Sequence, residues 1–229
     1  MLGTLINAAL ILAGTAVGLL LRRGLPERVK QAILMAMGLS TVLIGLMGAV
    51  KTTDTLGVIL CMAVGTLLGS LIDLERQLDR LGRWVEHRLG QAAGEGVSRA
   101  FVSTSLIYCV GAMAVVGSID SGIRGDHTTL IAKGIIDGVT AIVFASTMGI
   151  GVGLSAVSVF VYQGTIALLA GLLSPVLTDA VVTEMSAVGG LLIAGIGLNL
   201  IYDKRIPVGN MLPAIFLPLA YLPLRALFG

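Results

Sequence analysis

The sequence predicts an all-α bundle of membrane-spanning helices. Three observations carry that expectation. Hydrophobic residues make up 56% of the 229-residue chain and charged residues only 12%. The mean hydropathy is +0.99. Apolar runs of roughly 20 residues recur from end to end, the length that crosses ~30 Å of hydrocarbon as a helix. Composition also narrows the function classes. The formal net charge is +2, so no strongly basic surface points to nucleic acid.

Eight runs qualify as spans, all within one transmembrane domain covering residues 1–229: Leu2–Leu21, Val29–Val50, Leu56–Ile72, Ala100–Val116, Leu130–Val152, Leu154–Leu173, Val181–Ile201 and Val208–Phe228. The first run is expected to remain as a span. Its positive charges, Arg22 and Arg23, follow the apolar stretch, the reverse of a secretory signal. The third and fourth runs are short. The eighth carries Pro213, Pro218 and Pro223, each without a backbone donor, so it reads as kinked, re-entrant or split, and a seven-span bundle is the alternative.

Loop charge sets the expected orientation. Eleven of the 15 Lys and Arg residues lie in the first, third and seventh loops, which the positive-inside rule places in the cytoplasm. The N-terminus is then outside. Between the fifth and sixth runs, Gly149, Gly151 and Gly153 alternate without a charge. Two readings are open there: a tight cytoplasmic turn, or an unwound segment lining a wet cavity. The third loop reads as a cytoplasmic amphipathic helix over about 71–90. Leu74, Leu78, Leu81, Val85 and Leu89 fall at helical spacing, with balanced acids and arginines on the other faces. That balance suits packing on protein, including the same helix of a second subunit, better than lying on anionic lipid.

A weak internal duplication is also legible. Gly3-Thr4-Leu5-Ile6 resembles Gly164-Thr165-Ile166, and Met35–Gly45 resembles Met185–Gly195. Spans one to three would then correspond to spans six to eight. A shift of five spans reverses orientation, which defines an inverted repeat of the kind found in secondary transporters.

Asp137 is the residue with most to explain. It lies well inside the fifth run, where a carboxylate is expensive and is by default a functional candidate. Lys133 sits four residues earlier on the same face, so a structural ion pair is the competing reading. Thr140, Ser146 and Thr147 follow on the same helix, while Asn7, Gln163, Asn199 and Asn210 are amides within other runs. Together these are the candidates to line a transport pathway. Amides in membranes more often hydrogen-bond neighbouring helices. Asn210 followed by Pro213 also marks a helix start. The pairs Gly14/Gly18, Gly65/Gly69 and Gly134/Gly138 are expected at close helix contacts.

Other chemistries find no support. Cys61 and Cys109 each lie alone in an apolar run, and His87 and His127 lie in different loops. No metal site, cofactor or disulfide is expected. No Walker loop, helical HExxH or Gly-x-Ser-x-Gly elbow is present, so no catalytic residue is assigned and an enzyme is not expected.

Several stretches resemble a known family: Gly3-Thr4-Leu5-Ile6-Asn7 with Gly14 and Gly18, the Gly38-Leu39-Ser40 helix, Gly65-Thr66-Leu67-Leu68-Gly69, Asp137-Gly138, and Val208-Gly209-Asn210-Met211-Leu212-Pro213-Ala214. The chain is similar over its length to the YdfK/YqgA-type bacterial membrane proteins, grouped as domain of unknown function 554. The resemblance implies a multi-pass protein of the bacterial inner membrane with a loose association to transport. It implies no substrate and no catalytic residues. The expectation is therefore a small-solute or ion transporter, partnered by the lipid bilayer and by a second copy of itself. The alternatives are a non-transporting scaffold or sensor acting through the 71–90 helix, and a passive channel.

Overall fold

The computed structural model describes residues 1–22, 24–78, 80, 96–202 and 206–228, and all regular structure among them is helical. Most of the predicted 71–90 helix therefore lies outside the described residues, as do Arg23, Lys204 and Arg205. In chain order the helices are α1 (Leu2–Arg22), α2 (Glu27–Ala49), α3 (Thr55–Leu71), α4 (Val97–Cys109), α5 (Ala112–Ile123), α6 (Thr128–Met148), α7 (Gly151–Leu168), α8 (Ala170–Leu173), α9 (Asp179–Ile201), α10 (Val208–Met211) and α11 (Pro218–Phe228). A 3₁₀ segment, Leu212–Phe216, separates α10 from α11. Residues 74–78 are also helical.

Five helices (α1, α2, α6, α7 and α9) are long and apolar enough to cross a membrane, and α4 with α5 makes a sixth if the bent pair is one span. Several helix starts follow local chemistry. Pro26 precedes α2 with φ −58°, the geometry that a helix start requires. Asp54 caps α3 by accepting from Gly57 N at 3.0 Å, and the Thr178 hydroxyl caps α9 by accepting from Val181 N.

Two glycines decide where the chain breaks. Gly149 has φ +84° and carries the turn from α6 to α7, while Gly151 and Gly153 are already helical. The tight-turn reading of that glycine run is the one observed. The Arg22 guanidinium packs directly over Gly149, where a cation faces the C-terminal carbonyls of α6. The unwound backbone lies elsewhere. Val110 is extended and Gly111 has φ +138°, a conformation that side chains avoid. The fourth run is therefore split into α4 and α5, bent by 62°. The eighth run is split as well, into α10, the 3₁₀ turn and α11, as its prolines suggest.

Packing is organised by backbone contact at glycines. α1 and α6 run parallel: Gly3 lies on Leu130, Gly14 on Gly138 and Gly18 on Ile142. A Cβ on Gly14 would overlap the Gly138 carbonyl oxygen. α7 runs antiparallel to α1, with Gly153 beside Thr15 and Gly164 near Thr4. Gly65 and Gly69 let α3 press on Ala214 and Asn210. All three predicted small-residue pairs thus sit at helix contacts.

The α2–α9 contact is antiparallel and reciprocal. A Cβ on Gly38 would be 3.1 Å from Gly197 O and one on Gly197 2.7 Å from Gly38 O; Gly45 and Gly190 are each 2.5 Å from the other's carbonyl in the same sense. The residues repeat too: Gly38-Leu39, then Ile44-Gly45-Leu46, recur as Gly190-Leu191 and Ile196-Gly197-Leu198. The contact thus pairs Gly38 with Gly190 as equivalents, two residues away from the Gly45–Gly195 register that the sequence suggests. α9 is the most enclosed of the long helices, with 78% of its apolar window buried, against 17% for α2. Leu39, Leu43 and Met47 of α2 and Ile135, Ile136 and Val139 of α6 are exposed, the outward face expected to meet lipid.

Gly14→Ala should destabilise the fold by about 1–3 kcal/mol, since its methyl group meets backbone that cannot rotate away. Gly171→Ala, with nothing within 4 Å, should change stability by less than about 1 kcal/mol. Unfolding midpoints in detergent separate the two; equal midpoints would remove glycine contact as the organising constraint.

Candidate functional site

The site begins with an absence of side chain. Gly134 on α6 brings α1 so close that a Cβ there would be 3.0 Å from Asn7 Cα. Asn7 is completely buried and lies over the face of α6 that carries Asp137 one turn further on. Asn7 Nδ2 donates to Asp137 Oδ2 at 3.2 Å and to Gln163 Oε1 of α7 at 3.3 Å. Lys133 Nζ donates to the same Asp137 Oδ2 at 2.5 Å. The side chains of Lys133 and Asp137 are 8% and 6% exposed. Asp137 is nine residues into a 21-residue helix, ~14 Å from its start at 1.5 Å per residue.

A fourth helix closes the group. Lys133 Nζ lies 6.0 Å from the centroid of the Tyr108 ring, within range of a cation–π attraction. Tyr108 is fully buried in the last turn of α4, two residues before the Val110–Gly111 break. Val110 itself packs on Gly189 of α9. Thr140 lies on the Tyr108 side, with its hydroxyl near the Ile136 and Asp137 carbonyl oxygens at 3.0 Å.

The polar accounting of this cluster does not close. Asn7 Oδ1, Gln163 Nε2 and Thr4 Oγ1 are all buried without a hydrogen-bond partner, while the Tyr108 hydroxyl lies on the Thr140 side. An unpaired buried polar group costs about 1–3 kcal/mol, and native interiors carry few. Here several gather around one ion pair.

Asn7, Gln163, Asp137 and Lys133 are thus brought together, with Thr140 at the edge. The remaining candidates are placed elsewhere. Ser146 donates to Val143 O at 2.7 Å, and Thr147 donates into the same turn of its own helix. Asn199 closes the loop after α9: its Nδ2 donates to Ile206 O and its Oδ1 accepts from Ile206 N, both at 2.8 Å. Asn210 Oδ1 accepts from Glu75 N at 2.8 Å, and Glu75 Oε2 accepts from Gly209 N at 2.8 Å. This reciprocal clamp ties residues 74–78 to the start of α10.

Sequence reasoning missed Tyr108 and Thr4, which look like ordinary span residues, and also a second buried carboxylate. Glu184 of α9 is 4% exposed. Its Oε1 accepts from Thr53 N and Thr53 Oγ1 at 2.9 and 3.0 Å, and its Oε2 accepts from Thr52 Oγ1 at 2.5 Å. Tyr221 OH donates to Asp54 Oδ2 at 3.0 Å beside it. These bonds pin the α2–α3 loop to α9 and α11. The signal was available: Glu184 falls within a predicted span, three residues after its start.

Comparison with known proteins identifies the family. The family profile described as Protein of unknown function (DUF554) matches residues 2–222. The chain belongs to this family. One DUF554-type relative is the Bacillus subtilis (strain 168) protein described as "Uncharacterized membrane protein YdfK", 31% identical over 222 residues, covering 95% of this chain and 94% of that one. Another is "Uncharacterized protein YqgA" of Escherichia coli (strain K12), 32% identical over 220 residues and 94% of each chain. No solved structure matches this DUF554 chain. Family membership and the apolar helices make it a membrane protein.

Glu75→Ala and Asn210→Ala should each lower stability by about 1–3 kcal/mol, because each leaves a backbone N–H without its partner. The double variant should cost less than the sum, since each bond orders the other. A double-mutant cycle on thermal midpoints that proves additive would reject the clamp.

Proposed function

We propose that this protein is a small-solute or ion transporter of the bacterial cytoplasmic membrane, and that Asp137, Lys133, Asn7 and Gln163 form its central site. The observation that carries the reading is the convergence of these four side chains, from three helices, at mid-depth beside a broken fourth helix. Burying a charge pair is costly, and apolar replacements of such pairs are often neutral or stabilising. A molecule that only needed a packed bundle would gain little from this group. Discontinuous helices beside a midplane polar site are the recurring arrangement for binding and alternating access. The Val110–Gly111 break follows two residues after Tyr108, whose ring faces Lys133, and supports that comparison.

The closed ion pair by itself would also suit a static scaffold. The buried, unpartnered atoms of Asn7 and Gln163 favour transport over that reading, because a static core has no reason to keep them. The reciprocal glycines of α2 and α9 support an inverted repeat relating spans one to three to spans six to eight. In this reading the chain crosses the membrane eight times with its N-terminus outside.

Two measurements test the proposal. Reconstituted protein should drive solute-dependent currents on a supported membrane when screened against alkali cations, amino acids and organic anions. Asp137→Asn should lower those currents at least about tenfold while the protein stays folded and monodisperse, a loss of ~1.4 kcal/mol or more in the rate-limiting barrier. Unchanged currents would reject the role of Asp137. For orientation, Lys51→Cys should react with an impermeant maleimide on intact cells, and Arg76→Cys only after permeabilisation; the opposite pattern would invert the topology.

A further inference from the structure

The unpartnered atoms around Asp137 are mostly oxygens. Asn7 Oδ1 and Thr4 Oγ1 lack donors, and both residues are fully buried. They occupy the face of α1 that meets α6 and α7, one turn apart. Asp137 adds its carboxylate, and the Gln163 amide lies 3.3 Å from Asn7 Nδ2, where it can hold the Asn7 amide in place. Oxygen donors with a single net negative charge suit a hard monovalent cation. A divalent ion would leave an uncompensated charge in a low-dielectric interior, which is costly.

The place of that cation is now taken by Lys133 Nζ, 2.5 Å from Asp137 Oδ2. Its hold on the carboxylate is in the less favourable order. Side chains of a helix point back toward its N-terminus, so a lysine must turn against that tilt to reach a carboxylate four residues later. Lys133 is only five residues after the start of α6 at Thr128. Released from Asp137, its stem reaches toward the near membrane surface, the usual behaviour of lysine in a span.

The amides complete the exchange. Asn7 now spends its NH2 group on Asp137 and Gln163, which leaves its own oxygen and Gln163 Nε2 without partners. Turned by 180°, both amides keep their heavy-atom positions. Gln163 Nε2 then donates to Asn7 Oδ1, and that oxygen faces the cation together with Asp137. Asn7 Oδ1 and Gln163 Nε2, now without partners, bond to each other in the cation-bound arrangement, and Asn7 Nδ2 and Gln163 Oε1 take the outward positions.

We propose that Asp137 and Asn7, with Gln163 positioning the Asn7 amide, form a binding site for a small monovalent cation, and that the Lys133 ammonium is a tethered surrogate which that cation displaces. The proposal deepens the transport reading by naming the class of ion, and rests on it only for movement across the membrane; binding is a separate observable. The site stays near neutral in both states, since one positive charge replaces another.

Thermal unfolding of purified protein at constant ionic strength, with sodium chloride replacing choline chloride, tests it. The midpoint of Lys133→Ala should rise saturably with sodium, by about 3 °C or more at saturation, because a ligand that binds only the folded state raises its stability. Lys133→Ala/Asp137→Asn should show no sodium-specific rise. Wild type should need at least about tenfold more sodium, since Lys133 competes. Lys133→Met, closer in volume, repeats the measurement if the alanine variant does not fold. Should neither fold, binding of radiolabelled sodium to wild type in lipid nanodiscs, displaced by unlabelled sodium and lost in Asp137→Asn, carries the same decision. Equal midpoints in sodium and choline for a folded Lys133 variant would overturn the site, as would absent displaceable sodium in wild type. Sodium binding without flux of any solute would instead overturn the transport reading and leave the site standing.

Discussion

Backbone-to-backbone approach at glycines is the constraint on which the rest of this structure depends. In hydrocarbon there is no hydrophobic gain from bringing two helices together, so association relies on close contact and polar bonds. Gly14, Gly18, Gly134 and Gly138 remove the Cβ at four close points of the α1–α6 seam. The two backbones then meet directly, and Asn7 is carried within reach of Asp137. Without that approach a short amide on one helix would not span the gap to a short carboxylate on the other. Gly38, Gly45, Gly190 and Gly197 do the same for α2 and α9, and α9 is the most enclosed of the long helices.

Burial turns the polar group at this seam from a liability into a discriminating feature. A carboxylate at mid-depth must find a cation and donors, and Asp137 finds Lys133 and Asn7. The surrounding amides are then committed to one orientation, with other polar atoms left over. Glu184 shows the contrast. It is equally buried, yet both its oxygens are occupied by the threonines of one loop, and nothing near it is left waiting. The first arrangement has a reason to change when a charge arrives. The second is a fastening.

The same distinction sorts the amides that the sequence marks equally. Asn199 and Asn210 bond to backbone groups exposed where helices end, and so close a loop and a clamp. Asn7 and Gln163 lie within helices whose backbone is already satisfied, so their side chains can only meet one another and Asp137. Ser146 and Thr147 return their hydroxyls to their own helix, a common solution for these residues when no partner faces them. Hydropathy and spacing treat all of these alike, because they report depth along a helix and not which neighbour faces it.

The sequence by itself determined the helical membrane architecture, the family, the glycine pairs that make close contacts, and the Lys133–Asp137 pair. These follow from local quantities: apolar run length, residue size, and the i,i+4 geometry of a single helix. The tertiary structure alone decided that Asn7 and Gln163 join that pair, that Tyr108 covers it, and that the backbone unwinds at Gly111 and not across Gly149–Gly153. Those features depend on which faces of distant segments meet. Glycine admits both helical and left-handed backbone, so its position along the chain leaves the outcome open. The packing of α4 and α5 against α6 and α7 selects it.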